Sequence, residues 1–534
     1  MCEGTVDKLI IYLLLDLNLL EIYKGGTYRL DIRDRIHCKW LQGKIVSPQE
    51  AVSVIEDGMT VAVSGYTPAG YPKIIPIELV KQHNQSSGES FKINLISGAS
   101  VGPEIDSEMS IAGLIKRRIP FQVNSKISKL INQRKVKYVE YQLGQMSQAL
   151  QSGFLGNIDI AIVEATSITK EGYIVPTTSV GLSPTFIKLA KAVIVEVNNA
   201  QPLELEGIHD IYMPALPPNR KPILLDKVNQ RIGQPFIKVD PNKIKFIVES
   251  NIPDTYDYFD NPENLIIQKI SYNLLNFLEQ EIIGERLNKD LLPIQSGIGN
   301  LANGIIRYFG KSSFNNLEFY CGVIQEAIIE LMQIGKVKAV SGGAFTPTPL
   351  ALKYLKADPH FFKQHIVLRP ADISNSGEVV SRLGVIALNN AIEVDIYGNA
   401  NISHILASQV FSGIGGGSEF AKNAYISIIL IPSIAKGGEI STIVPMVSHC
   451  DIIEHDVDII ITDIGVADLR GKDPVERANT IIENCAHQIY REKLKDYLNR
   501  AIKKNGGHQP HLLEEALSWH IKLQKYGSMK GVLN

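Results

Sequence analysis

What this sequence lacks excludes several classes of function. Cysteine is scarce: Cys2, Cys38, Cys321, Cys450 and Cys485 stand singly among 534 residues, with no CxxC spacing. Such a pattern argues against a disulfide framework and suits a reducing compartment, so the cytoplasm is the expected location. Neither sign of charge is in excess: 54 Lys and Arg against 56 Asp and Glu give a formal net charge of -2. No basic stripe interleaved with aromatics appears, so a nucleic-acid partner has no electrostatic footing. Long apolar runs are also missing. LIIYLLLDLNLLEIY, after Lys8, is broken by Asp16 and Asn18 and falls short of the about 20 mostly apolar residues of a membrane span. Downstream, EIYKGGTYRL offers only Gly25-Gly26 as a small-residue cleavage site. The stretch reads as an amphipathic extension, with no membrane partner.

What is present suits a globular α/β protein. Hydrophobic residues make up 45% and charged residues 21%, enough apolar material for a core, and the length exceeds what one core serves. SPQEAVSVIEDG predicts a helix, with Ser47 as N-cap, Glu50 completing a capping box and Gly58 as the stop. MTVAVSG then reads as a buried strand ending in glycine, and FKINLISGAS, NIDIAIVEAT and KAVIVEVN repeat the pattern. Continuous β-branched runs separated by helices predict mostly parallel sheets covered on both faces, with ligands at the C-terminal strand ends.

The pattern then restarts. KVKAVSGGAF echoes KINLISGAS, and a longer echo relates the segment from Glu164 to the segment from Asp395. Each runs from an acid at a strand end through a glycine-ended loop to a short helix and another strand. The fold class expected is therefore α/β, with two related open α/β/α domains and a cleft between them. We divide the chain into an extension (1–36), two domains (37–240 and 241–500) and a helical tail (501–534).

Three clusters could carry chemistry. QSGIGNLANG, residues 295–304, is a glycine loop opening a helix, so its amides could cradle an anion. Gly297, Gly299 and Ala302 satisfy G-x-G-x-x-A, but Glu318, 21 residues after Gly297, starts the following strand instead of closing it, which weakens a dinucleotide reading. FSGIGGGSEFAKNA, residues 411–424, is glycine-richer still and lacks the Lys-Ser/Thr of a nucleotide-triphosphate loop; its use would be close backbone approach to a ligand oxygen. HCDIIEHDV, residues 449–457, gathers two histidines, a cysteine and acids, but without metal-site spacing. It reads as a satisfied polar strand end, and no metal is assigned.

Taken together, GMTVAVSGYTPAGYPK, FKINLISGASVGPEID, VEATSITKEGYIVPTTSVG, QPLELEGIHDIY, LLPIQSGIGNLAN, VLRPADISN, DIYGNANISH, GIGGGSEFAKNAY, AKGGEISTIVPMVSH, ADLRG and IIENCAH resemble the acetyl-CoA hydrolase/transferase family. The resemblance is to the succinyl-CoA:acetate branch of the class I CoA-transferases and runs from about Arg35 to about residue 502. It implies an acyl-CoA:carboxylate CoA-transferase acting on short acyl groups, as a homodimer, with coenzyme A as a substrate and no resident cofactor. In the family a glutamate attacks the acyl-CoA thioester, the CoA thiolate attacks the resulting anhydride, and a carboxylate resolves the enzyme–CoA thioester. By resemblance the Gly297–Gly299 loop supplies an oxyanion site at the Ile298 amide. Gly416, between Gly415 and Gly417, would hold the acyl or carboxylate group with Asn375, and Ser100 would form the other wall.

Two departures bear on the chemistry. Where the family has Tyr-Thr-Glu-Val-Ile-Gln-Asp, this chain has Tyr320-Cys321-Gly322-Val323-Ile324-Gln325-Glu326. The nucleophilic position is Gly322, which has no side chain to attack with. Family members have Thr-Glu-Gln-Gly before ADLRG, where this chain has Thr462-Asp463-Ile464-Gly465; by resemblance Asp463 is a catalytic residue of the cleft near Gly322, with its acid shortened by one methylene. On a strand Cys321 should face away from the cleft. Two alternatives to covalent transfer follow: an impaired or inactive acyl-CoA-binding protein, or a hydrolase that uses water without a covalent intermediate.

Overall fold

The computed structural model describes residues 31–85, 91–256 and 264–530. The apolar stretch after Lys8 lies outside the described residues. Among the described residues, no helix is long and apolar enough to cross a membrane.

Two sheets organise the chain. The first has seven parallel strands, in the order Lys137–Tyr138, Ile115–Ile119, Ile93–Ser97, Thr60–Val63, Ile160–Ala165, Ala192–Asn198 and Ile244–Ser250. The second runs Ile366–Leu368, Val337–Gly342, Leu317–Tyr320, Ile294–Ser296, Ile386–Asn390, Ile426–Leu430, Ile459–Ile461, and closes with the antiparallel Val466–Asp468. Counted by sequence within each unit, the parallel strands follow one order, 4-3-2-1-5-6-7, in both. Each sheet therefore reverses direction between its first and fifth strands, where an open α/β sheet has its ligand crevice.

The longer echo in the sequence is in step with this repeat. After the fifth strand each unit makes an antiparallel hairpin, Ser167–Ile168 with Ile174–Val175 in the first and Glu393–Asp395 with Ala400–Asn401 in the second. Each then enters a short helix, Ser183–Leu189 or Gly417–Asn423, and the sixth strand. The shorter echo is out of step. FKINLISGAS holds the second strand of its sheet and KVKAVSGGAF the third of the other; similar β-branched runs before glycine arise wherever a buried strand ends in a turn. The counterpart of Ile93–Ser97 is Leu317–Tyr320, the strand that leads to Gly322.

Other expectations shift at their edges. Ile244–Ser250 pairs with Ala192–Asn198 from Val193↔Ile244 to Asn198↔Ser250, so a division at 240/241 would cut the first sheet. The proline-rich stretch MPALPPNRKPILL, residues 213–225, does not separate the units either. Its Ile223 and Leu225 are fully buried against the second unit with Tyr320 and Val379, and the Ile223 amide donates to Glu378 Oε1 at 2.7 Å. At the N-terminal side, residues 31–36 belong to the first unit. Ile36 is fully buried, and Arg35 donates to the carbonyls of Thr166 (3.1 Å) and Gln201 (2.9 Å). The residues assigned to a tail pack on the second unit: Leu512 and Trp519 join its core, and the helix Gln488–Asn505 runs through 501. The early helix spans only Pro48–Val52. Ser47 caps it by accepting from the Glu50 amide at 3.2 Å, but it ends well before Gly58.

Backbone hydrogen bonds stitch the units together beside the crevices. The Val180 amide donates to Gly343 O (2.9 Å), Phe345 to Thr178 O (3.1 Å) and Ala371 to Gly181 O (2.8 Å). One hydrophobic core runs through this seam, including Tyr66, Ala69 and Leu182 from the first unit and Val323, Ala344 and Phe345 from the second.

Candidate active site at the seam

The first unit brings the loop Ser64–Lys73, which leaves the C-terminal end of its first strand. A buried polar network fixes this loop. Lys73 Nζ lies 2.5 Å from Glu164 Oε1 and 2.8 Å from Asp254 Oδ1, all three side chains being out of contact with solvent. Burial disfavours the ammonium, but the two carboxylates outweigh it and hold Lys73 above its ordinary pKa. Asp254 also accepts from the Gly70 amide (3.1 Å) and the Thr178 hydroxyl (2.6 Å), and Ser179 Oγ donates to Ala69 O at 2.9 Å. With the turn pinned at both ends, the Tyr66 amide donates to Ala69 O at 3.1 Å and the ring enters the seam.

There the Tyr66 hydroxyl donates to Asn375 Oδ1 at 2.9 Å. Ser374 Oγ donates to the same oxygen at 3.0 Å. Two donors on Oδ1 assign the amide, so Nδ2 carries the free N–H bonds. Nδ2 approaches Gly416 so closely that a Cβ there would stand 2.2 Å from it, which only glycine permits. Gly416 ends the glycine-rich loop that the first unit grips. Leu143 donates to Gly415 O (3.3 Å), the Gly413 amide to Gln122 O (3.1 Å), and the Ile414 amide to the Glu140 carboxylate. Gly415 has a φ of +59°, and Gly417 opens the helix Gly417–Asn423.

Gly322 lies under this pair. It is partly exposed between the buried Cys321 and Val323, and its carbonyl accepts from the Gly343 amide at 2.8 Å. A Cβ on Gly322 would lie 3.4 Å from Tyr66 Oη and 3.7 Å from Asn375 Nδ2, both ordinary contacts, and its φ does not call for glycine. Cys321 faces the other way. Its thiol contacts Ile294 O at 3.6 Å in the core, and burial pushes its pKa up to about 12, so no thiolate is available near neutrality. Glu326 pairs with Arg307 at 3.1 Å.

The Gly297–Gly299 loop occupies the crevice of the second sheet and is tied to the Gly322 segment by Gln325. Gln325 Nε2 donates to Gly297 O (2.7 Å), and its Oε1 accepts from the Gly299 amide (3.1 Å). The Gly297 amide donates to Leu388 O at 2.8 Å. The Ile298 amide between them has no partner among the described residues, and the Ile298 side chain is exposed. An amide left free by a clamped loop is the geometry an oxyanion site requires.

Asp463 does not join this group. It follows Ile459–Ile461, and three strands intervene between that strand and Leu317–Tyr320. At about 4.8 Å per strand this places it on the order of 19 Å away. Its carboxylate is occupied by the Ser433 amide (2.7 Å) and hydroxyl (3.2 Å). Proximity in a family pattern carries no information about distance across a sheet, which is why the sequence placed it here. Ser100 lies two residues past Gly98, whose Cβ would meet Gly65 O at 2.4 Å; its hydroxyl is buried without a partner among the described residues. In the HCDIIEHDV segment, Asp451 accepts from the Ile402 amide (2.7 Å), Ser403 Oγ and His449 Nε2 (3.1 Å), the satisfied role expected of it.

Beside Asn375 a cleft of about 480 Å³ opens between the units, lined by Gln142, Gly144, Ser376, Ser418 and Glu419 among others. Glu419 is buried, and its carboxylate accepts from the Gly144 amide at 2.8 Å. Burial pushes its pKa up to about 7, against which the Gly144 hydrogen bond works only in part. Sequence reasoning missed Tyr66, Gln325 and Glu419. Tyr66 had a signal, its place directly after the first strand at a crevice; Gln325 and Glu419 had none outside the fold.

Comparison with known proteins agrees with this architecture. Residues 29–249 match the acetyl-CoA hydrolase/transferase N-terminal domain and residues 356–498 the C-terminal domain. The chain belongs to the acetyl-CoA hydrolase/transferase family. It is 47% identical over 496 residues to a succinyl-CoA:acetate CoA-transferase of Clostridium kluyveri, covering 93% of this chain and 92% of that protein. It is 39% identical to a propanoyl-CoA:succinate CoA transferase of Escherichia coli (91% and 99% covered) and 38% identical to an acetyl-CoA hydrolase of Schizosaccharomyces pombe (91% and 96%). Among solved structures, RipA from Yersinia pestis superposes with a TM-score of 0.68 at 21% identity over 88% of this chain and 98% of that one. A 4-hydroxybutyrate CoA-transferase from Porphyromonas gingivalis gives 0.59 at 18% identity, with 86% and 99% covered. These last two establish a shared fold.

Proposed function

We propose that this protein is an acyl-CoA:carboxylate CoA-transferase, for short acyl groups of the acetate and succinate type, whose covalent route is closed at Gly322. The observation that carries the reading is the contrast at the seam. Asn375 stands over Gly322 and against Gly416, and Gln325 ties the loop with the free Ile298 amide to the same segment, while Gly322 itself has no side chain; that contrast supports the reading. Oxyanion donors act on acyl-CoA whatever the attacking group is, so binding survives the loss of a nucleophile. Coenzyme A enters as a substrate. Calorimetry with acetyl-CoA and desulfo-CoA should detect binding, and hydroxylamine should trap no acyl or CoA adduct on the protein during turnover. A trapped adduct would sink the proposal from the chemical side, and no binding at millimolar ligand would sink it from the other.

A second reading, hydrolysis by directly attacking water, is favoured by Glu419. It lines the cleft beside Asn375 with a pKa near neutrality, the range in which a general base works best. Thiol release from acetyl-CoA in the absence of any carboxylate, lost in Glu419→Gln, would establish it. Family resemblance further supports a homodimer and the singly scattered cysteines a cytoplasmic location, which solution sizing and fractionation would test.

A further inference from the structure

The recess over Gly322 is open and polar. Solvent reaches the backbone at Gly322 although both neighbours are buried. The atoms nearest to where its Cβ would stand are Tyr66 Oη at 3.4 Å and the Asn375 amide at 3.7 and 3.8 Å. Because Oδ1 of that amide is taken by Tyr66 and Ser374, what faces the recess as a donor is Nδ2, and among the described residues it has no acceptor. A small open space beside an unspent N–H donor, in a site whose second substrate is a carboxylate, is suited to that carboxylate.

Resting on the transferase reading above, we propose that a free short-chain carboxylate occupies the recess over Gly322 and itself attacks the acyl-CoA, so that CoA transfer runs through a ternary complex. One oxygen of the free carboxylate bonds to the thioester carbonyl carbon, the C–S bond breaks, and its electron pair leaves on the CoA sulfur. The products are a mixed anhydride and CoA thiolate. The thiolate then bonds to the other carbonyl carbon of the anhydride, the one contributed by the free carboxylate. The C–O bond at that carbon breaks, and the original acyl group departs as a carboxylate. No proton is taken up or released and no redox partner is needed. Asn375 Nδ2 holds the attacking carboxylate, and the free Ile298 amide receives the developing oxyanion.

The wild-type protein tests this directly, with acetyl-CoA and propionate as the pair and propionyl-CoA formation as the readout. Initial rates over a grid of both substrates should give intersecting double-reciprocal lines, with no hydroxylamine-sensitive adduct on the protein. Propionate should serve as acceptor, and the branched pivalate should not. Gly322→Ala places a methyl group in the recess and should lower the propionate-dependent rate by roughly a hundredfold, the effect of displacing a reacting group by about 1 Å. Parallel lines with a trapped adduct would overturn the proposal. So would the absence of propionyl-CoA while calorimetry shows acetyl-CoA bound. If acetyl-CoA does not bind at all, the transferase reading falls, and this proposal falls with it.

Discussion

The hydroxyl of Tyr66 and the side-chain oxygen of Asn375, 309 residues apart in sequence, meet at 2.9 Å across the seam between the two units. This bond assigns the Asn375 amide and sets Tyr66 Oη 3.4 Å from the place of a Cβ on Gly322. Losing it has two consequences. Tyr66→Phe should cost about 1 kcal/mol of stability, since Ser374 still serves Oδ1, as read by denaturant unfolding. It should also weaken acetyl-CoA and carboxylate binding by calorimetry, because the amide is no longer held to one orientation. Unchanged binding would mean that Ser374 alone orients the amide.

Gly322→Glu should open the covalent route. The first side-chain atom fits at contact distance, and a tethered carboxylate gains an effective concentration that a free one lacks, so transfer from succinyl-CoA to acetate should rise at least roughly a hundredfold. Hydroxylamine should now trap an adduct, and double-reciprocal lines should become parallel. A folded variant that binds acetyl-CoA and shows no adduct would place the defect elsewhere in the site.

Asp463→Glu should leave transfer unchanged, alone or combined with Gly322→Glu. The carboxylate at this position serves Ser433, and three strands intervene between Ile459–Ile461, which leads to it, and Leu317–Tyr320, which leads to Gly322. A gain in the double variant over Gly322→Glu would show that position 463 reaches the substrate.

Glu419 predicts a pH dependence of stability. Burial raises its folded pKa from 4.5 to about 7. Between those values the unfolded chain gives up its proton while the folded protein keeps it, so this group destabilises the fold progressively as pH rises through the window. Above about pH 7 the penalty is constant. Glu419→Gln keeps an acceptor for the Gly144 amide and removes the penalty. The variant should gain on the wild type from pH 4.5 to 7, reaching about 3 kcal/mol, in urea unfolding at a series of pH values. A difference that does not change with pH would show that Glu419 is ionised throughout.

The sequence alone determined the α/β class, the repeat and the identity of the glycine loops, because buried parallel strands and close backbone approaches restrict composition locally. Its longer echo was in step with the topology since it spans a whole strand–hairpin–helix–strand unit. The shorter one slipped by a strand because a β-branched run before glycine is common to every strand of such a sheet. Cys321 facing the core followed from strand alternation. Only the tertiary structure decided that Asp463 stands apart and that Tyr66 stands inside. Sheet order sets lateral distance at about 4.8 Å per strand, and the 4-3-2-1-5-6-7 order has no signature in any single segment. The Tyr66–Asn375 pair likewise joins two units through a seam that neither encodes by itself.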